Sequence, residues 1–519
     1  MDQDRFAHLF TGNFMLNALE LESVRHEIEA RTTAINQLEL QIGVLMAERE
    51  KYQTLLSPLR RNLLPTEILG EIFSFSTQFV AESNSSASYQ LNTLCRVCKA
   101  WRAAALVKPA LWATVGWLCV DAPENLDVGK VGVWLSRSGK VKKSLRIVGD
   151  HGAEGSAACP LSPSELRSLL VEGPPLDDFS LSCTYAECLE AVFSGIQSSS
   201  TKSQSCDSMS SLHLEMEWAS SMSFGRVCHI LDRFPTLRTL SLTLPDYYDF
   251  VQENQLPESL PFGNLTTLSL AYDWPGALVL GILRNCAGLE TLSLDTRGSL
   301  RSNNTSYPHN LSILLPKVRT LQLKEVDLSS RATDILRHLR VPSLHTLDIG
   351  FYTFARFDLD DYNMTNISSD IASLIDDGPN RTTNLQHLRF ESLAITSQGL
   401  HSILSALPTL THLTLEKLES DSRLFRIAQT LGTKKLLPQL KTFEMHGASE
   451  LFKFNYADVY DFLKRRKEGV TEESPDYLEE AVLTVPKERT YLWRDGFDCP
   501  SYHASEIAKD GVRLTIAAV

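Results

Sequence analysis

The sequence predicts an α/β solenoid that follows a long amphipathic helix and a small helical domain. Three observations lead to this prediction. Apolar residues recur every seven positions near the start of the chain, an apolar helix begins at a Leu-Pro pair, and a Leu-x-x-Leu-x-Leu pattern then recurs over most of the remaining length. One such repeat cannot bury its own apolar side chains, so consecutive repeats must stack into an elongated array.

The composition is that of an ordinary globular protein, with 43% hydrophobic and 22% charged residues among 519. A formal net charge of −13 argues against broad nucleic-acid binding, which needs clustered Lys and Arg. The N-terminus lacks the features of a signal peptide, and no apolar run reaches the roughly 18 to 20 residues that span a bilayer. Ten irregularly spaced cysteines predict neither disulfides nor a zinc site. We expect an intracellular protein of the cytoplasm or nucleus, without metal or cofactor.

Residues 1–57 are predicted to form an amphipathic, coiled-coil-like helix. Two apolar series with a seven-residue spacing mark its seam. They comprise Leu21, Ile28, Ile35, Ile42 and Leu56 in the first series, and Val24, Leu38, Leu45 and Tyr52 in the second. Arg31 and Arg49 interrupt the pattern, and Ser57-Pro58 is predicted to end the helix. Two alternatives remain open: residues 16–56 pair with another helix in trans, or the helix folds back on its own domain.

Residues 58–115 are predicted to form a small helical domain. In the stretch LLPTEILGEIF, Pro65 suits the first helical turn and Glu67 suits the positive end of the helix dipole. One apolar face follows, and a Ser- and Asn-rich loop leads into a second apolar-periodic helix, LNTLCRVCKAWRAAALVKPALWATV. By themselves these residues indicate a helical domain with a private core.

Three blocks of this domain, in this order, resemble the F-box family. They read LPTEIL at residues 64–69, VCKAW at 97–101 and PALW at 109–112, and the polar insertion around 81–89 departs from the family pattern. The resemblance covers about fifty residues and implies a three-helix module that docks onto a Skp-type adaptor, which in turn joins a cullin and a RING subunit. The implied adaptor-binding residues are Leu64, Pro65, Glu67, Ile68, Leu69, Ile72, Val97, Trp101, Leu111 and Trp112.

From residue 176 to 519 the leucine pattern predicts an irregular leucine-rich-repeat horseshoe with a C-terminal cap. The clear copies begin at Leu237, Leu265, Leu289, Val318, Leu344, Leu385, Leu410 and Leu440, and weaker copies lie at 176–181 and 209–214. Successive clear copies lie 24 to 30 residues apart, except for one interval of 41 that indicates an insertion loop. In five copies a proline precedes the first position by two residues, which ends a helix and releases the chain into a strand.

The segments flanking the repeats are predicted from weaker patterns. Residues 116–175 are expected to form a linker and a capping repeat, with a helix face at Trp134 and a strand at Leu145–Ile147. The final GVRLTI is expected to form an edge strand. The basic run at 464–467 closes the helix ADVYDFLKRRKEG and suits its dipole, with a nuclear-import signal as the alternative.

A client surface is predicted on the later repeats, because residues between the strand leucines point outward. The middle outward position carries serine in early copies and charged side chains in later ones. The predicted client-binding residues are Asp348, His387, Arg389, Glu391, His412, Glu416, Glu444 and His446. Charged groups and imidazoles offer directional hydrogen bonds that a serine face lacks. The alternative is that these are only solvated strand residues.

No recognisable catalytic motif occurs, and the acidic run at Asp358, Asp360 and Asp361 does not match a calcium-binding loop. An enzyme is therefore the least favoured class. The whole layout is similar to F-box proteins abundant in mushroom-forming fungi. This resemblance implies a substrate receptor of a cullin-RING ubiquitin ligase, and the alternative is an F-box/repeat scaffold that does not direct ubiquitylation.

Overall fold

A computed structural model describes most of the helical and repeat segments of the chain. The described residues are 17–62, 64–81, 87–120, 127–149, 161, 163–194, 208–218, 230–231, 233–245, 262–272, 276–296, 312–326, 334–352, 371, 374, 384–420, 423–425, 436–448, 456–468, 477–485 and 513–518. The predicted insertion loop with its three aspartates, at 353–370, lies outside these residues. The chain divides into two compact units: Met1–Thr77 with Gln90–Lys108, and Gln78–Tyr89 with Pro109–Val519.

The first unit begins with the helix α1 (Ala18–Asn62). The side chain of Asn17 accepts a hydrogen bond from the Glu20 amide at 2.9 Å, and the Glu20 carboxylate accepts one from the Asn17 amide at 2.9 Å. This reciprocal pair satisfies donors that an uncapped helix start leaves open. The predicted end at Ser57-Pro58 is wrong, because the helix continues to Asn62. Proline already has a helical φ, so a helix can pass through it at the expense of one hydrogen bond.

Three shorter helices follow in the first unit: α2 (Thr66–Ala81), α3 (Ala87–Val97) and α4 (Lys99–Val107). The single helix expected after the polar loop is therefore divided. Cys98 is extended (φ −162°, ψ 171°) between α3 and α4, and its carbonyl accepts the Arg102 amide at 3.1 Å to begin the new helix. Lys108 is also extended, as expected for a residue that precedes proline. Leu69, Phe73 and Leu91 are buried within this unit.

The second unit begins with a 3-10 helix, Pro109–Trp112, and contains all the strands that the structure describes. In chain order these are β1 (Thr114–Val120), β2 (Ser144–Gly149), β3 (Asp178–Tyr185), β4 (Ser211–Trp218), β5 (Thr239–Thr243), β6 (Thr267–Ala271), β7 (Thr291–Asp295), β8 (Ile313–Leu314), β9 (Thr320–Val326), β10 (Leu339–Arg340), β11 (Thr346–Phe351), β12 (His387–Glu391), β13 (His412–Leu418), β14 (Thr442–Ala448), β15 (Glu480–Val485) and β16 (Arg513–Ala518). Its described helices are α5 (Val128–Ser136), α6 (Pro163–Glu172), α7 (Ala186–Ser194), α8 (Gly276–Leu283), α9 (Asp334–His338), α10 (Ser397–Ser405) and α11 (Tyr456–Glu468).

Fourteen of these strands form one parallel sheet whose strand order follows the chain, from β1 at one edge to β16 at the other. The two short strands β8 and β10 pair separately. Neighbours pair in matching register, so Leu240, Leu268 and Leu292 lie side by side, as do the leucines two residues later. Sequential parallel pairing of this kind is the arrangement of a repeat solenoid. The curvature implied by a horseshoe stays a prediction.

Each of the eight clear repeat copies coincides with a strand, and the weaker copies coincide with β3 and β4. The strand at Leu145–Ile147 and the final edge strand are also confirmed. Four strands were not predicted: the two-residue strands β8 and β10, β1, whose sequence TVGWLCV lacks the leucine pattern, and β15, where Ala481 and Leu483 take the buried positions. The buried leucines form one continuous core with apolar residues of the helices that connect the strands.

A left-handed residue recurs at one position of the later repeats. Glu325, Ser392, Lys417 and Gly447 have φ values of 53°, 56°, 50° and 65°. Each lies five residues after the first residue of its strand, in β9, β12, β13 and β14 respectively. Only glycine adopts this backbone region without a steric cost. The repeat geometry therefore imposes the same turn on four different residue types.

Candidate protein-interaction surfaces

The first candidate surface is an apolar stripe on α2 and the residue before its cap. Leu64, Ile68 and Ile72 are spaced four residues apart, and each is 44% to 47% exposed. Phe75, one turn further, is 79% exposed. We call these four residues the α2 apolar face. Residues three or four apart share one side of a helix, so the four side chains form a single hydrophobic strip.

The predicted adaptor-binding residues separate into an exposed group and a buried group. Pro65 and Glu67 are exposed beside the α2 apolar face, and Val97 is 46% exposed at the end of α3. Leu69 is buried, so it supports the core of the unit and offers a partner no surface. Trp101 is half-buried, and its ring lies 5.1 Å from that of Phe73. An aromatic contact of this kind stabilises the helix packing.

Leu111 and Trp112 belong to the second unit, where both are buried. The Trp112 ring lies 4.6 Å from that of Trp134, and the Arg137 guanidinium lies 4.6 Å from the centre of the Trp112 ring. These contacts anchor the start of the sheet against α5. The third motif block therefore stabilises the first repeat.

Sequence reasoning missed three exposed apolar residues of α2 and α4. Phe75 extends the series Leu64, Ile68 and Ile72, so helical spacing could have identified it. Leu106 and Val107, at the end of α4, are 46% and 72% exposed. Both residues are exposed because α4 ends at Val107, before Pro109. The sequence pattern predicted one continuous helix here and did not include this end.

The second candidate surface is on the sheet face that carries the residues between the buried leucines, which we call the open face. Strand pairing places Asp348, Arg389, Thr414 and Glu444 in one row across β11 to β14. His387 and His412 are neighbours in the row before, and Glu391, Glu416 and His446 are neighbours in the row after. The eight predicted client-binding residues are thus brought together on four adjacent strands.

Arg389 is the centre of an ion-pair cluster on this face. Its guanidinium donates to Asp348 at 2.9 Å, Glu391 at 2.8 Å and Glu416 at 2.6 Å. Lys417 donates to the second oxygen of Glu391 at 3.2 Å. We call these five residues the Arg389 cluster. With three carboxylates and two cations, the cluster has an excess of one negative charge.

The ion pairs shift the pKa values within the Arg389 cluster. Burial opposes charge on Arg389, but the carboxylates of Glu416 and Asp348 outweigh it and raise the pKa of Arg389 above its ordinary value. Burial likewise opposes charge on Glu391, but Lys417 and Arg389 outweigh it and lower the pKa of Glu391. Both shifts favour the charged forms of Arg389 and Glu391.

Imidazoles lie on both sides of this cluster. The rings of His387 and His412 stack with their centres 4.1 Å apart and an angle of 13° between them. Burial lowers the pKa of His387, and the neighbouring His412 and His345 lower it further, so the neutral imidazole is favoured. On β14, Nδ1 of His446 lies 2.8 Å from the Thr484 hydroxyl, and its Nε2 lies 3.4 Å from Glu444. The surface thus offers carboxylates and imidazole rings side by side.

A third polar group, on the early strands, involves serine, histidine and aspartate but is not a catalytic triad. The Ser211 hydroxyl lies 3.1 Å from His213 Nε2, and Asp178 Oδ1 lies 3.4 Å from the same nitrogen. A triad needs the hydroxyl and the carboxylate on opposite ring nitrogens. Burial raises the pKa of Asp178, but His213 and the Ser144 and Ser211 hydroxyls outweigh it and lower this pKa to about 2. The group therefore has a structural role, in which hydrogen bonds stabilise the charged carboxylate of Asp178.

Neither a metal site nor a membrane span is found in the described part of the chain. Its His, Cys, Asp and Glu residues form no group of three or more that could hold a metal ion. None of the helices given above is both long and apolar enough to cross a bilayer. The basic run at 464–467 includes Arg466, which is buried and donates to the carbonyls of Leu436 and Leu437 at 2.7 and 2.9 Å. At least this residue of the run therefore has a structural role.

Comparison with known proteins places one part of the chain in a family. No curated protein matches the sequence. Among solved structures, the chain is similar to one described as the crystal structure of the TLR13-ssRNA13 complex, at 13% identity and a TM-score of 0.25, over 71% of this chain and 62% of that one. A likeness at this level carries no argument, so the solenoid assignment depends on the strand order above. Residues 62–116 match the F-box-like family. The helices α2 to α4 and the Pro109–Trp112 turn thus constitute an F-box-like domain.

Proposed function

We propose that this protein is the substrate-recognition subunit of a Skp-cullin-F-box ubiquitin ligase, acting in the cytoplasm or nucleus. In this role it is a non-catalytic receptor that binds the adaptor through its F-box-like domain and the client through its repeats. The observation that carries the proposal is the α2 apolar face, an uncovered hydrophobic strip inside the F-box-like domain. Exposed apolar strips of this kind are typical of docking sites.

The adaptor contact is assigned to Leu64, Ile68, Ile72 and Phe75, with Pro65, Glu67 and Val97 at its margin. Apolar anchors of an interface gain most of their energy when a partner removes them from water. Complete burial of one such side chain contributes about 1.5 to 3 kcal/mol. Four such anchors contribute about 6 to 12 kcal/mol by this measure, which is comparable to the association cost of about 4 to 15 kcal/mol, so the residues at the margin must add to the affinity.

The test of the adaptor site replaces exposed residues only. Leu64→Glu, Ile68→Glu and Ile72→Glu together should reduce adaptor binding by at least 100-fold in calorimetry with a purified Skp-type adaptor. The matched control carries three apolar-to-glutamate changes at exposed positions of the repeat unit, Val133, Val141 and Leu314. The control should bind normally. A folded Leu64/Ile68/Ile72 variant that keeps full affinity would contradict the assignment.

The client site is proposed on the open face around the Arg389 cluster. Replacing Asp348 with Lys, Arg389 with Glu and Glu416 with Lys reverses the net charge of the cluster from −1 to +1. The variant keeps opposite charges between position 389 and positions 348 and 416, and Glu391 keeps its contact with Lys417. This triple variant should therefore stay folded, bind the adaptor normally and lose the client. A photo-crosslinking amino acid at Thr414 should capture the client, and the same group at Ser269 should not. Capture at Ser269 alone, with the triple variant unaffected, would move the site to the early strands.

The alternative function is a scaffold that binds the adaptor and a partner without directing ubiquitylation. A reconstituted reaction containing the adaptor, cullin, RING subunit and crosslinked client distinguishes the two. Ubiquitin transfer to the client that depends on both the α2 apolar face and the Arg389 cluster supports the receptor role. Intact complexes that never transfer ubiquitin support the scaffold.

A further inference from the structure

Helix α1 presents an apolar seam that the described part of the chain leaves uncovered. Ile35 and Ile42 are each 55% exposed, Leu38 is 57% exposed and Leu45 is 64% exposed. Ile28 and Tyr52 continue the series at 58% and 67%. The alternative in which α1 folds back on its own domain is therefore not the arrangement found. Uncovered apolar stripes of this length mark an interaction site.

The order of residue types along the seam specifies the partner geometry. With Leu21 at heptad position a, the first apolar series occupies a and the second, from Val24, occupies d. From Leu21 to Leu56 the seam is about 50 Å long, at about 1.5 Å per residue. Its central layers alternate isoleucine at a (Ile35, Ile42) with leucine at d (Leu38, Leu45). This combination favours two parallel strands.

Two arginines within the seam fix its register. Arg31, at position d, donates to Glu27 of its own helix at 3.0 Å, so its charge is already paired. Arg49 is at position a, and Glu48 at position g precedes it. In a parallel, in-register pair, Glu48 of each copy flanks Arg49 of the other, because the g residue forms part of the hole that receives the next a residue. A shift by one heptad would instead set each arginine against an apolar layer.

Charges at the margin of the seam agree with the same arrangement. Glu20 at position g and Arg25 at position e meet across a parallel pair, where opposite charges attract. We propose that α1 forms a parallel, in-register, two-stranded coiled coil with a second copy of this chain. This pairing is independent of the adaptor and client sites, and its tests require neither partner.

The first test measures the mass of the full-length protein by light scattering. Wild type should have twice the 58.0 kDa mass of one chain. Leu38→Glu with Ile42→Glu should return it to one chain mass, and circular dichroism should be unchanged because both side chains are exposed in the single chain. The matched control is Leu40→Glu with Val44→Glu, which changes two exposed apolar residues of the same helix outside the seam. A single-chain mass for wild type, or a loss of pairing in the control alone, overturns the proposal.

The second test measures the direction of pairing. Val24→Cys places a thiol at a d position near one end of the seam, where parallel copies bring the two sulfurs within disulfide range. Mild oxidation should therefore give a covalent dimer on a non-reducing gel. Glu22→Cys, on the outer side of the helix, and wild type should give none. An antiparallel pair separates the two Val24 positions by tens of ångströms, so a dimer mass without this crosslink overturns the parallel arrangement.

Discussion

Arg389 shows how one side chain organises the open face of the sheet. Its three carboxylate partners come from its own strand and from the strands on either side, so the guanidinium holds β11, β12 and β13 in one electrostatic unit. The guanidinium already binds three carboxylates, so the proposed client contacts the outward-facing oxygens of those carboxylates. Arg389 therefore positions the surface more than it contacts a partner.

Removal of Arg389 should destabilise the repeat unit in a pH-dependent manner. Arg389→Met leaves three carboxylates close together without their cation, which should cost about 1 kcal/mol of unfolding free energy at pH 7, since the group is partly exposed. Because Lys417 and Arg389 lower the pKa of Glu391, the part of this loss that arises from Glu391 should shrink from pH 7 toward pH 4, as the pH approaches that lowered value. Urea denaturation at both pH values measures this. Arg513→Met, at an 80% exposed side chain 3.9 Å from one carboxylate, serves as the control and should change little.

Asp178 gives a second prediction at the residue scale. Its pKa is lowered to about 2 in the folded chain, from an ordinary value of 3.8. A carboxyl group with a depressed folded pKa stabilises the protein above its unfolded pKa and loses that contribution as the pH falls through the folded value. The shift corresponds to about 2 kcal/mol at pH 7. This contribution should disappear between about pH 5 and pH 2.

Asp178→Asn should therefore lower the unfolding free energy by about 2 kcal/mol at pH 7 and by much less near pH 2. Chemical denaturation across this pH range measures both values. An equal loss of stability at both ends of the range would show that the carboxylate acts through packing and that its charge contributes nothing.

At the scale of the element, a left-handed residue recurs at the end of four strands, β9, β12, β13 and β14, where the chain begins to turn. Four residue types adopt it, and Gly447 alone among them avoids the steric cost of a side chain. Non-glycine residues at the other three positions indicate that strand pairing and the buried leucines determine the turn. Tertiary contacts thus override local preference here.

Two glycine substitutions should have opposite effects. Gly447→Ala should destabilise the repeat unit by about 1 kcal/mol because φ is positive, even though open space surrounds the new methyl group. Gly132→Ala, inside α5 and also in open space, should stabilise by about 0.5 to 1 kcal/mol because alanine favours a helix. Thermal unfolding of the two variants measures both effects. Equal signs would contradict the backbone explanation.

At the scale of the whole molecule, the division into two units assigns neighbouring motif blocks to different cores. Phe73 is buried in the first unit and contacts Trp101, whereas Trp112 is buried in the second and contacts Trp134. The F-box-like domain at 62–116 thus includes residues of both units. Its last block, PALW at 109–112, belongs to the second unit together with the repeat array.

Substitutions in the two cores should therefore loosen different parts of the molecule. Phe73→Ala should raise hydrogen exchange in α2, α3 and α4 and leave β4 to β7 unchanged. Trp112→Ala should raise exchange in β1, β2 and α5. Loss of a buried aromatic side chain costs about 3 to 5 kcal/mol in its own unit. Val133→Ala, at a 57% exposed position, is the control. Equal loosening of all helices and strands by either variant would contradict the two-unit division.

Sequence patterns predicted most of the order of the elements and the leucines of the repeat core. Spacing of leucines located the eight clear strands, because alternation along a strand decides which side chains are buried. Helical spacing likewise located α2 and its apolar residues. Strand alternation and helical spacing depend on residues that are close in the sequence, so the spacing of apolar residues predicts them.

Which of those residues are exposed, and which already pair with another residue, depends on the folded structure. Leu69 and Ile68 are adjacent in the same motif, yet one is buried and the other exposed. Arg389 and Glu416 are 27 residues apart, and their 2.6 Å contact exists because two strands pair in register. The packing of Trp112 against Trp134 likewise joins residues that are 22 positions apart in the sequence. The physical reason is that burial and charge pairing depend on what the folded chain brings alongside each residue.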